Sequence, residues 1–405
     1  MEKALRIILI ATLSAFIVVI AFGLGFAARG VAESAGILPP SITVSAETPA
    51  EAPPNFNIFW EAWEILKREY FGDLPDDQTA TYGAIRGVLQ TLGDPNTVLI
   101  EPRAAEREQE QLQGEFGGIG AYVSVDEQGR IVIVAPIDDT PAARAGLRAD
   151  DIIIAVDGVE VTGMPLDEVV NMIRGPLGTE VTLTIFRPGV DEPFDITLTR
   201  DRIPDPTVAW QMVEGQDGMG YIRISFFSAR TPEELRKAIG ELKDQGADRL
   251  IIDLRNNPGG LLDSAIAVAS EFIDEGVIVY QQAKDGSRTP FEARKGGLAT
   301  DIPLVVLVNE GSASASEIVA GAIRDHGRGK LVGTQTFGKG TVQIPFELSD
   351  GASLHVTIAH WLTPNGTDLS GDGLTPDIWV DEDPNAQEDV QFLRAIDVLN
   401  ETTGR

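Results

Sequence analysis

From residue 220 onward, short apolar runs alternate with longer stretches of helical periodicity, and this alternation restricts the fold more than any other feature of the chain. Residues 220–224, 249–254 and 304–308 read as strands. The run Leu304, Val305, Val306, Leu307, Val308 has no polar member, as expected of a strand buried on both faces. Residues 231–245, 261–273 and 315–325 carry helical spacing, and Thr231 with Glu234 matches a capping box, Thr231 being the expected N-cap. The pattern predicts a mixed α/β layer structure around a largely buried sheet.

The rest divides by composition. Residues 114–202 contain five short apolar or alternating strands (121–125, 131–135, 151–156, 181–186 and 194–198), one helical turn at 141–145 and a helix over 166–173. They read as a separate domain inserted before the larger portion that carries the strand–helix alternation, 203–381. Residues 56–113 read as helices over 56–71, 79–92 and 104–113. The stripe Phe59, Trp60, Trp63, Leu66, Tyr70 at helical spacing is expected to be core or a dimer contact. Residues 30–55 are rich in Ala, Glu, Pro and Ser and read as a linker, and 382–405 as a C-terminal helical segment over 389–399. Helices at both ends suit a homodimer.

Charge and residue inventory exclude several functions. The net charge of −30 repels phosphate backbones, so nucleic acid is not an expected partner. With no cysteine, disulfides, thiol catalysis and thiolate metal sites are excluded. The three histidines, His326, His355 and His360, make a poor metal set, and no metal or cofactor is expected. At the N-terminus, Ile7 to Ala28 is 22 residues without a charge, about 33 Å of helix and enough to cross a bilayer. Lys3 and Arg6 precede it and favour a cytoplasmic N-terminus. A single-pass anchor and a cleaved signal peptide ending near Phe26-Ala27-Ala28 both fit, and the length favours the anchor. Either one puts the remaining chain outside the cytoplasm.

Chemistry concentrates in Gly311-Ser312-Ala313-Ser314-Ala315-Ser316-Glu317 and Phe337-Gly338-Lys339-Gly340-Thr341-Val342-Gln343. Read structurally, Ser314 caps a helix and Glu317 reaches back to complete the box. Read chemically, the same position sets a serine beside free N–H groups and the positive end of a helix dipole. The Ala315 N–H is then a donor to a developing oxyanion, and the loop Asn257-Pro258-Gly259-Gly260 offers Gly259 and Gly260 as further donors. Lys339 is the candidate base, provided it is neutral, which burial favours. In an extended strand Lys339 and Gln343 share a face, so the Gln343 carbonyl can orient the amine without adding charge. The run from Gly333 to Lys339 matches most of a phosphate-binding loop, but Gly340 stands where the loop needs Ser or Thr, and a strand follows instead of a helix. His326 lies at the far end of the helix that begins at Ser314, about 18 Å away, too far for a serine–histidine pair.

These segments resemble the carboxyl-terminal processing peptidases, or tail-specific proteases, as do Asp253-Leu254-Arg255-Asn256-Asn257-Pro258-Gly259-Gly260-Leu261 and Leu374-Thr375-Pro376-Asp377. The resemblance runs from about residue 57 to the C-terminus. It implies a Clp-protease/crotonase-like core with Ser314 as nucleophile, Lys339 as general base and Gln343 as its orienting partner. It also implies that residues 114–202 are a PDZ domain whose loop Gly117, Gly118, Ile119, Gly120 takes the carboxylate of a peptide or protein C-terminus. The peptide would add as a strand beside 121–125. Arg174 would couple that domain to the active site. The alternative is a PDZ scaffold that binds C-termini without cutting them.

Overall fold

The computed structural model describes residues 55–383, 385, 386 and 388–404. The apolar segment 7–28 and the linker lie outside the described residues. Among those described, no helix is long and apolar enough to cross a membrane. The helices are α1 (Phe56–Glu69), α2 (Asp77–Gln90), α3 (Pro102–Gln113), α4 (Pro141–Arg144), α5 (Leu166–Ile173), α6 (Thr231–Asp244), α7 (Leu262–Ser270), α8 (Ala315–Asp325) and α9 (Val390–Thr403). The chain forms two compact units, divided at Pro75. In the first, α1 buries none of its residues, and Phe56, Phe59 and Trp60 stack on one another at 5.1–5.7 Å while exposed. The aromatic stripe is therefore not core here.

In the second unit the alternation read from sequence becomes a six-stranded sheet. Its order is Val208–Met212, Met219–Ile224, Arg249–Asp253, Leu304–Val308, Gly329–Gly333, Ile378–Trp379. The first pair is antiparallel and every later pair is parallel. Both faces are covered, as the unbroken apolar runs require. Leu250, Ile252, Leu304, Val306 and Val308 point to the face packed by α6, α7 and α8. Ile251, Val305 and Leu307 point to the other face and meet Ala395, Ile396, Val398 and Leu399 of α9. The two-residue period of the strand thus sorts one apolar run between two cores. Helix α8 is buried at every residue from Ala315 to Ile323, which its small side chains permit.

A second sheet was only partly legible. Ser353–Leu362 pairs with Val98–Ile100 and Val277–Ala283 along one edge and with Thr341–Glu347 along the other. Arg288–Glu292 extends it beyond Val277–Ala283. The inserted domain is a strongly bent sheet of order Ala121–Val125, Ile131–Pro136, Ile152–Val156, Glu180–Phe186, Phe194–Thr199, closed over its own core by α5. Its entry and exit run side by side as an antiparallel ribbon, Glu115–Gly118 with Asp201–Pro204.

One local expectation fails. Thr231 is the first helical residue of α6 and Arg230 is the N-cap. The Thr231 hydroxyl is drawn instead into a buried cluster with Ser228 N at 2.9 Å and Thr207 Oγ1 at 2.6 Å. Glu234 accepts from Thr207 N at 2.8 Å, and it meets its own helix start only through an ion pair with the Arg230 side chain at 3.5 Å. Tertiary partners outcompete the local box.

Candidate active site

Ser314 sits where the strand Leu304–Val308 ends and α8 begins, and it is the N-cap of that helix. Its backbone has φ 52° and ψ −112°, a conformation few side-chain-bearing residues adopt. Such strain costs on the order of 1–3 kcal/mol and persists only where neighbours enforce it. Here they do. Ser314 N donates to Glu317 Oε2 at 2.9 Å, Ala313 N to Asn257 O at 3.0 Å, and Ser316 Oγ to the same Asn257 O at 2.8 Å. Asn257 is itself fully buried, its side chain donating to Ile224 O and accepting from Gly259 N at 2.9 Å. Gly259 has to be glycine: at φ 111° a Cβ there would lie 2.9 Å from Ser314 Cβ and 3.0 Å from Ala313 O.

These bonds separate the three expected oxyanion donors. The Gly259 N–H is already committed to the Asn257 side chain. Among the described residues, Gly260 N and Ala315 N have no protein acceptor. Gly260, Ala315, Ser314, Lys339 and Gln343 all line one cleft of about 1030 Å³. Around Ser314 its wall is apolar (Leu261, Leu262, Ile318, Val342, Trp361), while α3 supplies a polar roof.

Lys339 does not lie on a strand. The strand begins at Thr341, so the shared-face argument for Lys339 and Gln343 does not hold as drawn. Gly340 presses against Leu369 and Ser370, where a Cβ would come within 2.1 Å of Ser370 N, and this packing takes the preceding residues out of the sheet. Lys339 is half-buried, and among the described residues no carboxylate oxygen lies within ion-pair distance of its amine. The Gln343 amide nitrogen donates to Thr341 Oγ1 at 2.5 Å and to Thr357 Oγ1 at 3.4 Å, which leaves its carbonyl oxygen uncommitted. No Lys339–Gln343 hydrogen bond is present among the described residues.

Glu317 does more than sequence suggested. Its carboxylate is fully buried and accepts from Ser314 N, Thr336 Oγ1 (2.6 Å), Gly338 N (2.8 Å) and Lys339 N (2.9 Å). One side chain thereby holds the backbones of both the serine and the lysine. Burial pushes its carboxyl above the ordinary range, and the hydrogen bonds from Thr336, Gly338, Ser314 and Lys339 offset that only in part. The capping-box pattern located Glu317; the three later donors come from a loop about twenty residues away, for which no local signal exists.

None of the histidines is paired with Ser314. His326 Nε2 meets Val277 O at 2.8 Å, His360 Nδ1 meets Ser370 Oγ at 2.8 Å, and His355 Nε2 lies 3.2 Å from Glu108 Oε2. Among the described residues no cluster of His, Asp and Glu is arranged to hold a metal ion.

In the inserted domain, Gly117 and Gly118 belong to the ribbon and Ile119 and Gly120 to the turn after it. Ile119 N and Gly120 N have no protein acceptor among the described residues, whereas Gly117 N donates to Glu110 Oε1 at 3.1 Å. Ala121–Val125 is an edge strand with one side unpaired. Arg174 stacks its guanidinium 3.8 Å above the Phe116 ring. It therefore rests on the ribbon that joins the two domains rather than among the cleft-lining residues.

Comparison with known proteins agrees with this architecture. The family model for peptidase family S41 matches residues 218–380, and a PDZ-domain model matches 132–187. The carboxy-terminal-processing protease of Bartonella bacilliformis is 41% identical over 362 residues, covering 88% of this chain and 82% of that protein. The carboxyl-terminal-processing protease of Synechocystis sp. is 42% identical over 346 residues, covering 83% and 81%. Among solved structures, a photosystem II D1 C-terminal processing protease aligns with a TM-score of 0.48 at 32% identity, covering 84% of this chain and 91% of that one.

Proposed function

The chain belongs to peptidase family S41 as a serine-type carboxyl-terminal processing peptidase with a PDZ domain, and from that premise we propose that Ser314, Lys339 and Gln343 carry its chemistry. The observation that carries the assignment is that Ser314 and Lys339 line one cleft while Glu317 holds both backbones. In the acylation step Ser314 Oγ attacks the scissile carbonyl carbon and its proton passes to Lys339 Nζ. The carbonyl oxygen, now anionic, is held by the Ala315 and Gly260 N–H groups. Collapse breaks the C–N bond, and Lys339 returns the proton to the leaving amine. Water, deprotonated by Lys339, then attacks the acyl-enzyme carbonyl; the C–Oγ bond breaks, Lys339 passes the proton to Ser314 Oγ, and the new C-terminus is released. The Gln343 carbonyl, left free by the two threonines, is available to accept from the Lys339 amine once substrate is bound, a contact not formed in this structure.

The PDZ domain fits recognition of substrate C-termini, with Ile119 N and Gly120 N offering the carboxylate two free donors beside an open strand edge. The apolar segment 7–28 supports a single-pass anchor with the catalytic region outside the cytoplasm. The exposed aromatics of α1 support a homodimer with a second copy as their occupant. The test of the catalytic assignment is cleavage of an unstructured protein by Ser314→Ala and Lys339→Ala. We expect the first to lose at least about 10⁴-fold in kcat and the second about 10²–10⁴-fold. Wild-type activity in either variant would refute the assignment, whereas a wild-type chain that binds tails and cleaves nothing would favour a scaffold.

A further inference from the structure

The roof of the catalytic cleft is a helix with almost nothing to hold it down. Helix α3 has the sequence PRAAEREQEQLQ and no buried residue. Yet Arg103, Glu106, Glu108, Gln109 and Leu112 line the same cleft as Ser314 and Lys339. Its attachments are polar and sit mainly at its ends. Arg86 pairs with Glu101 just before it, Ala229 N donates to Leu112 O at 2.8 Å, and Asp205 N donates to Gly114 O at 2.9 Å. Elements held this way are the first to open.

Among the described residues one side-chain pair crosses the cleft from roof to floor, Glu108 Oε2 to His355 Nε2 at 3.2 Å. His355 pairs with Pro345 and Thr357 with Gln343, so His355 lies one pleat, about 6.6 Å, beyond Gln343 on the same strand face. The bridge thus lies over the part of the cleft lined by Gln343 and Pro345. At its other end α3 runs through Gly114, in the left-handed region at φ 71°, into the ribbon. There Glu110 occupies the N–H of Gly117, first residue of the peptide-binding loop.

We propose that α3 is a gate over the catalytic cleft, latched by Glu108–His355, hinged at Gly114 and tied to the PDZ loop through Glu110. This rests on the peptidase reading above. A latch between partly exposed groups is weak enough for substrate to open, so removing it should raise turnover modestly.

The experiment uses the full chain and an unstructured protein substrate, with a serine-reactive phosphonate to report on Ser314. Glu108→Gln and His355→Gln should each raise kcat/KM by about two- to fivefold, and the double variant should gain no more than either single one. Glu108→Cys with His355→Cys introduces the only thiols of the chain. Bridging them with a short bis-maleimide should cut protein cleavage at least about tenfold while phosphonate labelling of Ser314 persists. Unchanged or lower kcat/KM in the single variants, or full cleavage by the bridged protein, would overturn the gate and leave the peptidase intact. A wild-type chain that neither cleaves nor labels overturns both.

Discussion

Ser314 shows how one position can combine a helix cap with the proposed chemistry. As N-cap it follows the loop after the strand Leu304–Val308 and starts α8, with a strained φ of 52° next to the Ala315 N–H. The strain is offset by the Asn257 and Glu317 bonds, so Glu317 is the residue whose loss should separate folding from catalysis. With its carboxyl pushed up by burial, Glu317 contributes stability when protonated, below the ordinary glutamate value near 4.3. That contribution is lost as pH rises through the raised folded value. Glu317→Gln keeps the shape but turns an N–H₂ toward donors. We expect kcat to fall about 10²-fold, as for a small misplacement of reacting groups. In urea titrations, the variant should also lose less stability than wild type between pH 4 and neutrality. Wild-type kcat in Glu317→Gln would show that the serine and lysine backbones need no such clamp.

Among the elements, α9 has a direct hold on the catalytic loop. Arg255, two residues before Asn257, bridges Asp253 at the end of its strand and Asp389 at the N-cap of α9, both at 2.7 Å. Tyr221 completes the cluster by donating to Asp253 at 2.8 Å, and burial together with that carboxylate pushes its phenol up. Burial also pushes the Asp389 carboxyl up, but hydrogen bonds from Arg255 and Phe392 N outweigh it and hold it below the usual range. A depressed carboxyl contributes stability above its unfolded value, near 3.9, and loses it as pH falls through the folded one. Asp389→Asn should therefore lower Tm on the order of 1–3 °C at pH 7, with the gap closing in acid. A gap independent of pH would mean the charge is not what ties α9 to the loop.

For the whole molecule, two expectations concern assembly and place. If residues 7–28 anchor the chain, the full chain should sediment with membranes and resist carbonate extraction, and a chain starting at residue 55 should not. Recovery of both in the soluble fraction would refute the anchor. If α1 meets a second copy, the chain from residue 55 should sediment as a dimer. Trp60→Glu, 58% exposed in the single chain, should weaken that dimer at least about tenfold, equivalent to about 1.4 kcal/mol. A monomer at all concentrations in both would remove the dimer.

The buried sheet was legible because its determinants are local: a run such as Leu304–Val308 has no polar edge to show water, and the strand period divides it between two cores. Helix α8 and the strand Ala121–Val125 were legible for the same reason. The half-polar strands Val277–Ala283 and Arg288–Glu292 were not, since pairing with Ser353–Leu362 and with each other makes them strands rather than any pattern of their own. At the site, sequence by itself determined the candidates for the proposed chemistry: a serine at a helix start, a lysine without a histidine or thiol competitor, and glycines that free backbone donors. Only the tertiary structure decided which donors remain free, that Lys339 stands in a loop, and that Glu317 clamps both segments. Hydrogen bonds between residues twenty to sixty positions apart leave no periodic trace in the chain that makes them.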